Sequence, residues 1–277
     1  MSNLQTHIEN YLKYCEEQKR LDYKTLKAYK IDLSQFCQSI STNNLTDITS
    51  SMLENYISEL HQKYKPKTVK RKIACIKALF HYFEYREIID LNPFNKILIK
   101  FREPTSLPKT IPLNTVETIL STIYTKKATA KTTYQKRNAL RDAATIELLF
   151  ATGIRIFELC SLQIDDVNLE DGTILISGKG SKERRLQIGN IEVLNILKEY
   201  RLDFSKEIAN CGHFFANQSG HPLSDQTVRR IINKYTSLAS ISQHITPHMF
   251  RHTFATSLLD ADVDIRYIQE MLGHSSI

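Results

Sequence analysis

Three separated segments carry side chains suited to an anionic substrate. In LLFATGIRIFELCSL, residues 148–162, Gly153 interrupts a helix and Arg155 follows directly. An arginine at a helix start offers a planar, permanently charged fork that fits a phosphate. The plainer alternative is an ion pair with Glu158, three residues on. In SGKGSKERRLQI, residues 177–188, Lys179 stands between Gly178 and Gly180 at an expected hairpin tip. With its pKa lowered by neighbouring cations it is a candidate general acid, and otherwise it is part of a solvated turn. The GxxxxGK[ST] spacing of a P-loop is absent. In the third segment, residues 244–277, His248, Arg251 and His252 fall at i, i+3 and i+4 on one helical face, and His274 follows Gly273. Such a face suits an anion better than a metal, because Arg251 sits in its centre and HxxRH is not HExxH. No metal site is assigned.

The elements that position these groups are mostly helices. Leu26, Tyr29, Leu33, Phe36 and Ile40 step by 3, 4, 3, 4, one face of a helix. Ser51 and Glu54 predict a capping box ahead of Ile57 and Leu60. Pro66 predicts the start of a helix carrying Val69, Ile73, Ile76, Phe80 and Phe83, running to the Asn92-Pro93 step. Residues 1–100 thus read as four helices and no strand. Pro104, Pro108 and Pro112 then predict an extended linker over 101–112. From 113 the pattern is mixed. A helix over 138–152 stops at Gly153. After a turn at Asp171-Gly172, residues 173–177 and 184–188 read as a hairpin, and 213–216 as a further short strand. Residues 224–239, 247–259 and 264–272 read as helices.

The chain has 277 residues, 42% hydrophobic and 24% charged, which excludes a disordered or low-complexity protein. No apolar run is long enough to span a bilayer. The five cysteines contain no CxxC pair, which argues against a disulfide framework or zinc ribbon and fits a reducing cytoplasm. Lys and Arg exceed Asp and Glu by 37 to 30, a net charge of +7, and residues 1–100 carry +5 of it (16 against 11). Six cations crowd into residues 63–72. They are either a solvated face or a helix N-terminus aimed at phosphates, and Lys67, Lys70, Arg71 and Lys72 are the candidate DNA contacts.

Taken in order, the GxRxxEL helix start, the GKGxKxR hairpin, HxxRHTFAT and LGHSS resemble the tyrosine recombinases of the phage-integrase family, in particular its Xer-like branch. The resemblance covers nearly the whole chain. It implies a mainly α fold: an N-terminal all-helical DNA-binding domain (1–100), a linker (101–112) and an α-rich mixed catalytic domain with a small antiparallel sheet (113–277). It implies site-specific DNA recombination through a 3′-phosphotyrosyl intermediate, with Arg155, Lys179, His248, Arg251 and His274 catalytic and Glu158 and Asp142 supporting them. It further implies duplex DNA as partner, a homo- or hetero-tetramer on that DNA, and no cofactor, metal or membrane. His252 is read as a packing residue. The sequence given stops three residues past His274, so the nucleophilic tyrosine is expected beyond Ile277. Tyr267 precedes the box and is expected to pack in the core. The alternative function is a truncated, inactive relative that occupies recombination sites.

Overall fold

The 3, 4, 3, 4 spacing winds into helix α2 (Tyr23–Ser39), capped by Asp22, whose carboxylate accepts from the Thr25 N–H. Leu33 and Phe36 on its inner face are fully buried. The computed structural model describes residues 4–42, 44–99, 109–178 and 183–273. It divides into two compact units, Met1–Ser106 and Leu107–Ile277.

In the first unit, α2 packs with α1 (Leu4–Glu17), α3 (Ser50–Lys63) and α4 (Pro66–Tyr85) around a core that includes Tyr11, Phe36, Phe80 and Phe83. Two sequence expectations are corrected. The cap of α3 is Thr49, whose hydroxyl accepts from the Met52 N–H, and not a box at Ser51 and Glu54. Helix α4 opens at Pro66 as expected but ends at Tyr85. Asn92 instead caps a single 3₁₀ turn, Pro93–Lys96. No strand occurs among the described residues of this unit.

The second unit begins inside the stretch read as linker. Ile111 is 2% exposed, and its backbone N–H donates to Thr253 Oγ1 at 2.7 Å. The expected linker residues 101–108 lie outside the described residues. Helices α5 (Leu113–Ala128) and α6 (Thr133–Thr152) pack together, and α6 starts earlier than expected, with Thr132 as its cap. Next come the short helix α7 (Ile156–Ser161) and a sheet of β1 (Val167–Asn168), β2 (Thr173–Ser177) and β3 (Glu183–Gln187) in antiparallel order β1-β2-β3. Ile176 pairs with Arg184 and Ser177 with Glu183. Ile174, Ile176 and Leu186 face the core.

Helices α8 (Ile191–Asp203), α9 (Ser205–Cys211), α10 (Asp225–Leu238), α11 (Pro247–Asp260) and α12 (Ile265–Leu272) complete the unit. Residues 213–216, expected as a strand, form only isolated bridges, Gln163 with His213 and Ala216 with Pro222. Their aromatics still anchor the core, since Phe214 and Phe215 are fully buried against Tyr200. Tyr267 is also corrected. It is 64% exposed, because the buried face of α12 is formed by Ile268 and Leu272, and Tyr267 falls off it.

Candidate functional site

The site is organised around the end of α6. Gly153 closes that helix in the left-handed region at φ +59°, and its N–H donates to the Leu149 carbonyl. Only glycine takes this conformation without penalty. The chain reverses there, and Arg155 becomes the N-cap residue of α7.

Arg155 is paired as the plainer alternative foresaw, and it keeps a surface as well. Its Nη1 donates to Glu158 Oε1 at 2.9 Å, while its backbone N–H donates to Glu158 Oε2 at 2.8 Å. Its side chain is nevertheless 40% exposed. The same guanidinium reaches the end of α12, donating to the carbonyls of Leu272 at 3.4 Å and Gly273 at 3.3 Å.

Glu158 is buried, and a second arginine holds it. Arg184, on β3, donates from Nη1 and Nη2 to the two carboxylate oxygens at 3.0 and 2.7 Å, and from Nε to the Met271 carbonyl at 2.7 Å. Burial alone raises the Glu158 carboxyl. The hydrogen bonds from Arg184 and Arg155 outweigh it and hold the group below the usual carboxylate range. It is therefore an anion at neutral pH.

Arg251 completes the cluster from α11 and is 6% exposed. Its Nη1 donates to the Gly153 carbonyl at 2.9 Å, and its Nη2 donates to the Leu272 carbonyl. Burial pushes its pKa down to about 10, and the nearby charges of Arg155 and Arg184 act the same way against Glu158. It remains charged at pH 7. Arg155, Arg184 and Arg251 thus converge on the carbonyl end of α12, where the helix carries partial negative charge. The structure brings Arg155 and Arg251 together as expected. Lys179 and His274 lie outside the described residues.

The histidines divide. His248, in the first turn of α11, is exposed. His252 is half-buried rather than packed away. Both line an open pocket of about 370 Å³ together with Lys109, Gln243 and His244. Burial, and then the charges of His248 and Arg251, lower the pKa of His252. Asp142, read as a supporting residue, is buried on α6 and ties α10 to it. Lys234 Nζ and Tyr235 Oη each approach its Oδ2 at 3.0 Å, and Arg141 Nη2 reaches Oδ1 at 2.6 Å. No group of three or more His, Cys, Asp or Glu fit to hold a metal occurs among the described residues. No helix among them is long and apolar enough to cross a membrane.

In the first unit the candidate DNA contacts separate. Lys67 and Lys70 lie on the exposed side of α4. Lys72, expected as a DNA contact, does not. Its side chain is 3% exposed, its ammonium donates to Asp32 Oδ1 at 2.9 Å and to Gln35, and it lies 4.8 Å from the centre of the Tyr64 ring. Arg71 is half-exposed and also ion-paired to the fully buried Asp32. Sequence reasoning missed Asp32 because its partners lie about forty residues away. It also gave Arg184 no role, although the GKGxKxR pattern contains it.

Fold and site together define a mainly helical protein with an arginine cluster suited to an anion. The chain belongs to the phage integrase family, the tyrosine recombinases: the phage integrase family model matches residues 110–277, and the phage integrase N-terminal SAM-like domain matches residues 8–87. A tyrosine recombinase of Agathobacter rectalis is 71% identical over the whole chain, which covers 90% of that protein. Tyrosine recombinase XerC of Thermodesulfovibrio yellowstonii is 32% identical, with the same coverage of both chains. A lambda integrase tetramer bound to a Holliday junction has the same fold, with a TM-score of 0.75 at 19% identity over 100% of this chain and 78% of that one.

Proposed function

We propose that the chain is a site-specific DNA recombinase that cuts and rejoins duplex DNA through a 3′-phosphotyrosyl intermediate. The observation that carries this reading is the meeting of Arg155 and Arg251 at the Gly153 break, with Glu158 ionised between Arg155 and Arg184. Transfer of a phosphoryl group places extra negative charge on the non-bridging oxygens in the transition state. Guanidinium donors fixed in advance stabilise that charge without reorganising.

In this reading a tyrosine hydroxyl attacks the phosphorus and the 5′-oxygen leaves, protonated by Lys179. His248 and His274 donate to the phosphate or take the tyrosine proton. A 5′-hydroxyl of the partner duplex then attacks the phosphotyrosine and releases the tyrosine. The number of phosphodiester bonds is unchanged, so no nucleotide cofactor enters. Lys67 and Lys70, with Arg71, supply phosphate contacts from the N-terminal unit. The working assembly is a tetramer on two duplexes, a proposal supported by the tetrameric lambda integrase complex, and its place of work is the cytoplasm.

The test uses the chain extended by a family-type C-terminal segment that supplies a tyrosine, and a nicked duplex that traps the covalent adduct, read on a denaturing gel. Arg155→Ala and Arg251→Ala should each reduce the adduct by about 10²-fold or more, the typical loss for one preorganised donor, with most duplex binding retained. Lys179→Ala should be rescued by a 5′-thiolate leaving group, which needs no proton. Undiminished adduct with both arginines replaced would refute the assignment.

A further inference from the structure

We infer that Arg184 is a positioning residue for strand cleavage, one side chain that ties together the hairpin bearing Lys179, the carboxylate that orients Arg155, and the helix end that precedes His274. The inference rests on the recombinase reading above and concerns a residue that contacts no reacting atom in it.

Arg184 stands on β3 opposite Ile176, in the first part of the strand that returns from the hairpin tip. Its side chain is 10% exposed, and three of its N–H groups are placed. Two grip both oxygens of Glu158, and the third holds the Met271 carbonyl. Lysine offers a point charge with no such fork, so these bonds cannot all be kept by a lysine. Glu158 in turn accepts from both the Nη1 and the backbone N–H of Arg155. Arg155 is therefore aimed by a carboxylate that is itself aimed by Arg184.

The side chain of Arg184 also lies flat across Gly273. A Cβ on that glycine would meet Arg184 Nη1 at 3.1 Å and Cζ at 3.3 Å. Gly273 takes φ +64°, and its carbonyl accepts from Arg155. The turn that leads into His274 is thus shaped by two arginines, and only Arg155 is exposed enough to meet a phosphate.

Without Arg184, burial remains as the force that neutralises Glu158. Among the described residues, the charged groups facing that carboxylate are Arg155 from α7, Arg184 from β3 and Arg251 from α11. Removing one of these cations moves the Glu158 carboxyl upward from its depressed position. A protonated Glu158 loses acceptor strength towards Arg155, and raising the pH restores it.

The experiment measures adduct formation on the trapping duplex, duplex binding and thermal melting for Arg184→Met, Arg184→Lys and the Arg184→Met/Glu158→Gln pair, all in the tyrosine-bearing protein. Arg184→Met keeps much of the buried hydrocarbon. It should slow adduct formation by about 10²-fold, the scale of a remote change that misplaces a reacting group, with duplex binding changed less than about threefold. Its rate relative to the parent should climb with pH, and the pair should lose that added slope. Arg184→Lys should fall between parent and methionine variant. A purely structural role would lower the melting temperature while leaving the rate per folded molecule and the pH profile as in the parent, and that result overturns the inference. Arg155→Ala, run alongside, separates the two claims. If it leaves the adduct intact, the recombinase reading fails. If it abolishes the adduct while Arg184→Met and Arg184→Lys behave as the parent, only the positioning role fails.

Discussion

Replacing Gly153 by alanine tests whether the reversal between α6 and α7 is as constrained as the site requires. Gly153 sits at φ +59°, where an L side chain costs about 1–2 kcal/mol. A Cβ built there comes within 2.6 Å of Phe254 Cδ1 and 3.0 Å of Cγ, and the ring on α11 must move to admit it. Overpacking of this kind typically costs about 1–3 kcal/mol, so Gly153→Ala should destabilise the second unit by about 2–5 kcal/mol. Where the backbone permits alanine, the same change stabilises by about 0.4–1 kcal/mol, so the sign alone is informative. The strain should reach the site, because the Gly153 carbonyl accepts from Arg251 and the shifting ring lies three residues along the same helix.

The measurement is native-state hydrogen exchange of the amides of α6 and α11, which gives the opening free energy of those helices. Phe254→Ala serves as the second arm of a cycle. It removes the ring atoms but leaves its own Cβ at 3.1 Å from the added methyl. In that background Gly153→Ala should cost only about 1–2 kcal/mol, the backbone part. A cost below about 0.5 kcal/mol in the parent, or equal costs in the two backgrounds, would refute the reasoning.

Four further outcomes are expected. Duplex affinity should fall by roughly 10³–10⁵ between 50 and 200 mM salt if about 6–10 phosphates are contacted, and a flat response in a filter-binding titration would count against a DNA partner. Lys67→Ala and Lys70→Ala should each lower the slope of log affinity against log salt by about one. Lys72→Ala should instead destabilise the first unit, by up to about 3–5 kcal/mol, since it strips a partner from buried Asp32; an unchanged melting temperature with a reduced salt slope would reverse that assignment. The Glu158 carboxyl is depressed in the folded state, so its stabilisation is complete above the unfolded value of about 4.3 and is lost as pH falls through the lower folded value. Glu158→Gln should therefore destabilise the second unit at pH 7, with the difference from the parent shrinking in acid; a difference that grows in acid would mean Glu158 is neutral when folded.

What was legible in the sequence was local. Pro66 at a helix start, Gly153 at a helix end and the β-like run Thr173–Ser177 after the Asp171-Gly172 turn each specify backbone geometry within a few residues, and each element was placed where those signals put it. Arg155 and Arg251 were legible as types, and the pairing of Arg155 with Glu158 as an i, i+3 alternative, but Arg184 and the partners of Arg251 were not. Arg251 meets the carbonyls of Gly153 and Leu272, 98 and 21 residues away, and no spacing rule connects them. Lys72 looked like its exposed neighbours because the buried carboxylate that claims it lies on another helix. The aromatic run at 213–216 looked like a strand because burial and β pairing leave the same apolar signature, and here only burial is present.

The arrangement also implies a division of labour among the cations. Arg184 and Arg251 are nearly buried, and between them they hold Glu158 and the carbonyls of Gly153, Met271 and Leu272. Their charge is felt at the site, yet much of their hydrogen-bonding capacity is committed to the fold. Arg155 carries the same kinds of bond at longer distances, 3.3 and 3.4 Å to the end of α12, and is 40% exposed. In the proposed reaction, a phosphate approaching this end of the unit meets Arg155 as the accessible fork. It can replace those two long carbonyl contacts without disturbing the Glu158 bonds that fix the guanidinium. The buried pair then acts as a fixed positive background, and a fixed background needs no rearrangement as charge builds on the phosphate.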